Sequence, residues 1–336
     1  MKKNVFTFFI FLIASPSQEQ LPVAADSIYR FIKTNSIHRN TVNWAMVDKG
    51  FTEKLKSAIT TKDTMKSLVY VFEQLNDVHS QMNLGNQFYG NYPSYDDSTL
   101  RYLMPLVNKS REQNGIIKTL LLDKQYVYLL LPGINAQGDA VTGYAQAISD
   151  SICKYSQKNI KGFIVDLRLN SGGQLSSMLG GLNLLLGNNY VGGGVDITGA
   201  ETRKFELKGN NFYIGDYKMT AVSNKCSADY SLTPVAVIIG PATLSSGSIT
   251  AIAFKGRPNT FFLGEPTAGG YTTANDYFQF GNSLTLNMAT GFIRDRKQVI
   301  YKNAVPPDEI IKGNDDFDNL LNDKKIKAAL LWLQKK

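Results

Sequence analysis

Apolar and polar positions along this chain fall into three patterns. Met65, Leu68, Val69, Phe72 and Leu75 recur at helical spacing with Lys and Glu between them, so residues 26–74 read as helical. Residues 85–98, rich in Gly, Asn, Tyr and Ser with Pro93 among them, read as loop. The apolar runs 116–122 and 126–131 flank Asp123-Lys124-Gln125 and predict a hairpin, closed by Pro132-Gly133. Val141, Tyr144, Ile148, Ile152 and Tyr155 return to helical spacing, and 162–168 is a short buried strand. Leu175, Met178, Leu179 and Leu182 predict a second helix. Strand, helix, strand, helix and strand in this order predict an α/β fold with a mainly parallel sheet. Residues 204–221 read as a β-excursion, 223–232 as a polar loop, and 260–263 as one more strand. Leu284, Leu286 and Met288 alternate with polar neighbours, 291–293 and 298–301 follow as antiparallel strands, and 317–333 closes as a helix.

One turn carries candidate chemistry. Val235-Ala236-Val237-Ile238-Ile239 is β-branched and unbroken, which suits a strand buried on both faces. It runs into Ala242-Thr243-Leu244-Ser245-Ser246-Gly247-Ser248 and then the helix-like 249–254. A small-residue turn there raises a hydroxyl at the carboxyl edge of a sheet, beside amides that can hold an anion. A serine nucleophile needs both features. The plain alternative is a Ser/Gly-rich loop with helix caps.

Composition narrows the class. The 336 residues are 43% hydrophobic and 19% charged, an ordinary globular balance. Lys2 and Lys3 precede the apolar run 5–14 and then the small residues Ala14, Ser15 and Ser17. That is the pattern of a secretory signal peptide over 1–17, too short to span a bilayer. No later run is long and apolar enough for a membrane helix, so the expectation is an exported protein of the periplasm, envelope or exterior. Its formal charge falls from +8 to +6 once Lys2 and Lys3 leave with the leader. The remaining basic residues are scattered, apart from Lys324, Lys325 and Lys327, which argues against a nucleic-acid partner. Neither metal-ligand spacings nor a phosphate-binding glycine loop is present, so no metal and no cofactor are expected. Two cysteines do not make a disulfide scaffold. Cys153 lies on the apolar face of the 141–155 helix, where a buried free thiol is expected; pairing with Cys226 is the alternative in an oxidising compartment.

Val165-Asp166-Leu167-Arg168-Leu169-Asn170-Ser171-Gly172-Gly173, the Thr243–Gly247 turn, Gly264-Glu265-Pro266-Thr267-Ala268-Gly269-Gly270 and Val305-Pro306-Pro307-Asp308 form an ordered set. Together they resemble the tail-specific (C-terminal processing) serine peptidases over residues 114–308. The resemblance implies a crotonase-like (ClpP/crotonase) fold: a mainly parallel core sheet flanked by helices, with an N-terminal helical cap and C-terminal strands. It implies a catalytic domain over 111–336 behind a cap region over 18–110, with Ser245 as nucleophile. The oxyanion donors map to the backbone N–H of Ser246 and that of Gly172 or Gly173. For Asp166 and Arg168 an internal ion pair is expected rather than chemistry.

Two departures from the family pattern shape the proton path. Bacterial members place a lysine base 25 positions after the serine, and here position 270 is Gly. Lys255 is expected to be solvated. A second branch, which includes the tricorn core protease, takes a histidine from an upstream segment, and Asn76-Asp77-Val78-His79-Ser80 resembles that segment. His79 is therefore the candidate base, and His38 a surface histidine at a helix end. That branch's acid is missing from Tyr301-Lys302-Asn303-Ala304, which leaves Ser80, Glu265, Asp276 and Asp308 as possible orienting groups. For Asp77 and Asp308, turn or loop stabilisation is the expected role. Residues 86–114 are too few to hold the PDZ module that many members carry. The resulting expectation is a serine peptidase acting on a peptide or protein substrate, with oligomeric state open. The alternatives are an inactive relative binding peptides or envelope polymers, and an acyl-CoA enzyme, which the leader disfavours.

Overall fold

The computed structural model describes residues 21–223 and 225–336. The expected leader over 1–17 lies outside the described residues. Two compact units divide the described residues: those up to Ser94 with Ala274–Gly291, and those of Tyr95–Thr273 with Phe292–Lys336. This differs from a break at 110/111, because the helix Asp97–Gln113 belongs to the second unit and the segment 274–291 to the first.

In the first unit the helical stretch resolves into Leu21–Asn35, Trp44–Lys56 and Thr61–Gln74. Asn43 caps the second through the Ala45 amide, and Thr60 and Asp63 form a reciprocal capping box on the third. Ile28, Ile32, Phe51, Leu68 and Phe72 pack with Met82, Leu286 and Met288 of the strands. Strand Gln81–Leu84 pairs antiparallel with Gln87–Gly90 and with the start of Leu284–Arg294. The 87–90 strand occupies part of the expected loop. Gly85, at φ +59°, supplies the tight turn that polar composition alone conceals.

The second unit holds a six-stranded sheet in the order Glu309–Ile310, Thr260–Gly264, Val235–Ile239, Gly162–Asp166, Tyr126–Leu130 and Lys118–Leu122. The first five run parallel, and the sixth joins Tyr126–Leu130 as the expected hairpin. Every residue of Tyr126–Leu130, Gly162–Asp166 and Val235–Ile239 is buried, which explains their unbroken apolar sequence. Ile326, Leu330 and Leu333 of the tail helix Lys324–Leu333 cover Tyr128, Ile164, Ala236 and Ile238. Strands Tyr190–Val195, Glu201–Lys208, Asn211–Ile214 and Tyr217–Lys218 form the β-excursion as successive antiparallel pairs.

One element has no counterpart in the sequence pattern, and one expectation needs correction. Asp97–Gln113 is a helix despite Pro105, its start capped by the Asp96 side chain on the Thr99 amide. Cys153 is not a free thiol: it is joined to Cys226, with Cα atoms 5.7 Å apart. The apolar helix face does bury Cys153, but it leaves the sulfur within reach of the 223–232 loop.

Candidate functional site

Ser245 stands between strand Val235–Ile239 and helix Ser246–Phe254 at φ 53°, ψ −126°. A side-chain-bearing residue in that region stores backbone strain of about 1–3 kcal/mol, and a sharp strand-to-helix serine turn lifts the hydroxyl off the sheet edge. The turn is anchored from both sides. The Leu244 N–H donates to the Asn170 carbonyl at 3.0 Å, and the Ala268 N–H to the Thr243 carbonyl at 2.9 Å. The Thr243 hydroxyl donates to the Leu167 carbonyl at 2.8 Å. The segments 165–173, 242–248 and 264–270 are thereby brought to one place.

Gly172 and Gly173 lie against this turn, at φ +95° and +103°. A methyl group on Gly172 would come within 2.7 Å of the Ser245 β-carbon and 3.1 Å of the Ser246 nitrogen. One on Gly173 would stand 2.1 Å from the Ile134 carbonyl oxygen. The Gly172 N–H is already spent, donating to Asn170 Oδ1 at 3.0 Å. Among the described residues, the Gly173 and Ser246 N–H groups have no protein acceptor. Two open amides beside a strained serine can hold the oxygen of a tetrahedral adduct.

His79 sits in the first unit, in a turn built by Asp77. Asp77 Oδ1 accepts from the N–H groups of His79 and Ser80 at 3.0 and 2.9 Å, and Oδ2 from the Ser80 hydroxyl at 2.5 Å. Ser80 Oγ accepts from the Ala289 N–H at 2.9 Å, and the His79 carbonyl from Asn275 Nδ2 at 3.2 Å. Asp77 thus has the expected turn-stabilising role. Burial pushes the half-buried imidazole down to about pKa 4, opposed by the nearby Asp77 carboxylate, so the ring is neutral at pH 7.

The remaining candidates have other bonds. Thr290 donates to Asp276 Oδ2 at 2.6 Å in the first unit. In the second, Glu265 accepts from the Tyr102 hydroxyl and lies 3.7 Å from Lys325 Nζ. Asp308 accepts from the Phe262 N–H at 2.8 Å. Lys255 is not solvated: its ammonium lies 3.7 Å from the Phe262 ring centroid and 3.6 Å from Asp308, and burial lowers its pKa. Asp166 and Arg168 form the expected internal pair at 2.6 Å, extended by Asp315 and Asp323 at the same distance. Sequence reasoning passed over Asn170 and Thr243, whose side chains bind backbone across chain separations that no local pattern shows. Among the described residues no cluster of metal-ligating side chains is assembled, and no helix is long and apolar enough to cross a membrane.

A strained serine with open amides at the edge of a parallel sheet defines the class of serine hydrolases. Residues 125–311 match peptidase family S41, and the chain belongs to that family, whose members include serine-type peptidases. It is 28% identical over 304 residues to the nisin-resistance protein of Lactococcus lactis subsp. lactis, covering 90% of this chain and 86% of that one. Among solved structures it is similar to a lipoprotein from Streptococcus agalactiae, with TM-score 0.68, 20% identity, and 97% and 99% of the two chains covered. It is also similar in structure to a photosystem II D1 C-terminal processing protease, with TM-score 0.52, 10% identity, and 87% and 93% of the two chains covered. These two likenesses concern the fold.

Proposed function

We propose that this chain is an exported serine peptidase that hydrolyses peptide bonds through Ser245 and His79 on a crotonase-like core. The observation that carries the reading is the strained Ser245 turn, packed on Gly172 where only glycine fits. In the first step Ser245 Oγ bonds to the scissile carbonyl carbon while its proton passes to the neutral His79 ring. The carbonyl π pair moves to oxygen, which the Ser246 and Gly173 amides receive. The pair then returns, the C–N bond breaks, and His79 gives its proton to the leaving amine. Water reverses the sequence on the acyl-enzyme and frees the acid product. Each donor amide contributes about 10²–10³ in rate, and the base about 10²–10⁴.

The orienting group for His79 is drawn from Ser80, Asp276, Glu265 and Asp308, of which Ser80 and Asp276 share its unit. Export is supported by the 1–17 pattern and independently by the Cys153–Cys226 disulfide, since such bonds persist in oxidising compartments. The substrate is a peptide or protein, and the name of the Lactococcus relative puts nisin first among peptides to test. Wild type, Ser245→Ala and His79→Ala are incubated with nisin and with unfolded β-casein, and the products are read by mass spectrometry. The reading expects new peptide termini from wild type alone. Binding of both substrates by wild type and Ser245→Ala alike, with cleavage by neither, would instead establish a peptide-holding relative.

A further inference from the structure

Ser246 does more than supply an amide. Its hydroxyl crosses to the opposite segment and donates to the Gly173 carbonyl at 2.7 Å. The residue is 8% exposed and is the first of helix Ser246–Phe254, one place after the cap position that Ser245 occupies, where a serine hydroxyl ordinarily meets water. Gly173, without a β-carbon, turns freely, so the direction of its N–H depends on what holds the peptide planes on either side. The plane before it is held by the Ile134 N–H on the Gly172 carbonyl at 3.0 Å. The plane after it is held by the Gln174 N–H on the Ile134 carbonyl at 2.6 Å, and by the Ser246 hydroxyl. Ile134 lies outside the serine turn. The Ser246 hydroxyl therefore directly joins the two residues that carry the open amides.

We propose that the Ser246 side chain is a positioning group that sets the spacing of the two oxyanion donors by tying Gly173 to the serine turn. The proposal rests on Ser245 being the nucleophile. Its signature is a loss confined to the covalent step, because substrate binding needs neither donor at its final distance, whereas the tetrahedral adduct needs both.

A fluorophosphonate probe reads that step without knowledge of the natural substrate. Ser245 Oγ bonds to phosphorus, the P–F bond breaks with fluoride taking the electron pair, and the hydroxyl proton leaves to the base. The phosphoryl oxygen occupies the donor site. Limiting labelling rate and half-saturating probe concentration are measured for wild type, Ser246→Ala, Ser246→Thr and Ser246→Cys. Ser246→Ala keeps both amides and is expected to lower the limiting rate about 10–100-fold, with half-saturation changed less than about twofold. Its Tm should stay within about 4 °C of wild type. Ser246→Thr restores the rate, and Ser246→Cys, a weaker donor, falls between wild type and alanine; the drop from wild type and threonine to cysteine is readable even if the alanine variant does not fold. A wild-type rate in Ser246→Ala or Ser246→Cys overturns the proposal, as does a loss carried wholly by half-saturation or one that threonine does not rescue. Failure of wild type to label at Ser245 overturns the underlying reading and the proposal with it, and that arm is scored separately.

Discussion

The α-carbon of Gly172 lies against Ser245 so closely that an added methyl group would stand 2.7 Å from the serine β-carbon. Steric fit alone therefore ties the Gly172-Gly173 turn to the candidate nucleophile. At φ +95° any side chain on residue 172 is also strained. Gly172→Ala should destabilise the protein by about 1–3 kcal/mol, and should cut peptidase activity by at least about 10²-fold in the molecules that remain folded. Urea unfolding and active-site titration separate the two losses. An alanine variant with wild-type activity would mean that the serine turn tolerates displacement.

Acid should weaken the fold through His79. Its pKa lies at about 4 in the folded chain against 6.5 ordinarily, with burial as the first cause. Between those values the unfolded chain holds a proton that the folded chain refuses. Stability contributed by the neutral ring is therefore complete above about pH 6.5 and is lost as pH falls towards 4. The whole effect is at most about 3 kcal/mol. His79→Gln should flatten the loss measured by urea unfolding at about pH 7 and pH 4.5. Parallel curves for wild type and variant would place the acid sensitivity elsewhere. The same ring should set the acid limb of kcat/KM near pH 4.

Arg168 is 1% exposed and bonded to Asp166, Asp315 and Asp323. Arg168→Met leaves Asp166 and Asp323, both buried, without their guanidinium. The expected cost is about 3–5 kcal/mol by chemical denaturation, and a change within about 0.5 kcal/mol would show that the cluster contributes little.

The strands of the parallel sheet were legible because burial on both faces demands continuous apolar runs, as in residues 162–166 and 235–239. The strand-to-helix turn at Ser245 was legible from an apolar run, small residues and a helix-like segment in succession, and only the ordered set of motifs around it makes that serine the candidate nucleophile. The helix 97–113 was not, since Pro105 and the scattered aromatic and charged residues blur its period. The contacts of Lys255 with Phe262 and Asp308 were equally hidden, because a lone lysine carries no periodic signal. Nor did any local pattern announce the Asn170 side-chain amide on the Leu131 carbonyl, 39 residues away, although Asn170 stands inside the 165–173 motif. Hydrogen bonds from side chain to backbone depend on turn geometry, which the order of residue types does not specify.

The Cys153–Cys226 bond closes a loop with a sequence separation of 73. Loop-closure entropy gives it about 4 kcal/mol. Replacing both cysteines by serine should lower Tm by several degrees, by an amount close to that seen for wild type in reductant. Equal melting of oxidised wild type and the double variant would contradict this contribution.

Ser245 as the nucleophile is tested most directly by intact-mass and peptide mapping after fluorophosphonate treatment. The account predicts one adduct per chain, on the peptide containing Ser245, abolished in Ser245→Ala and slowed in His79→Ala. An unmodified chain under conditions that label a control serine hydrolase, or an adduct on any other residue, would contradict it.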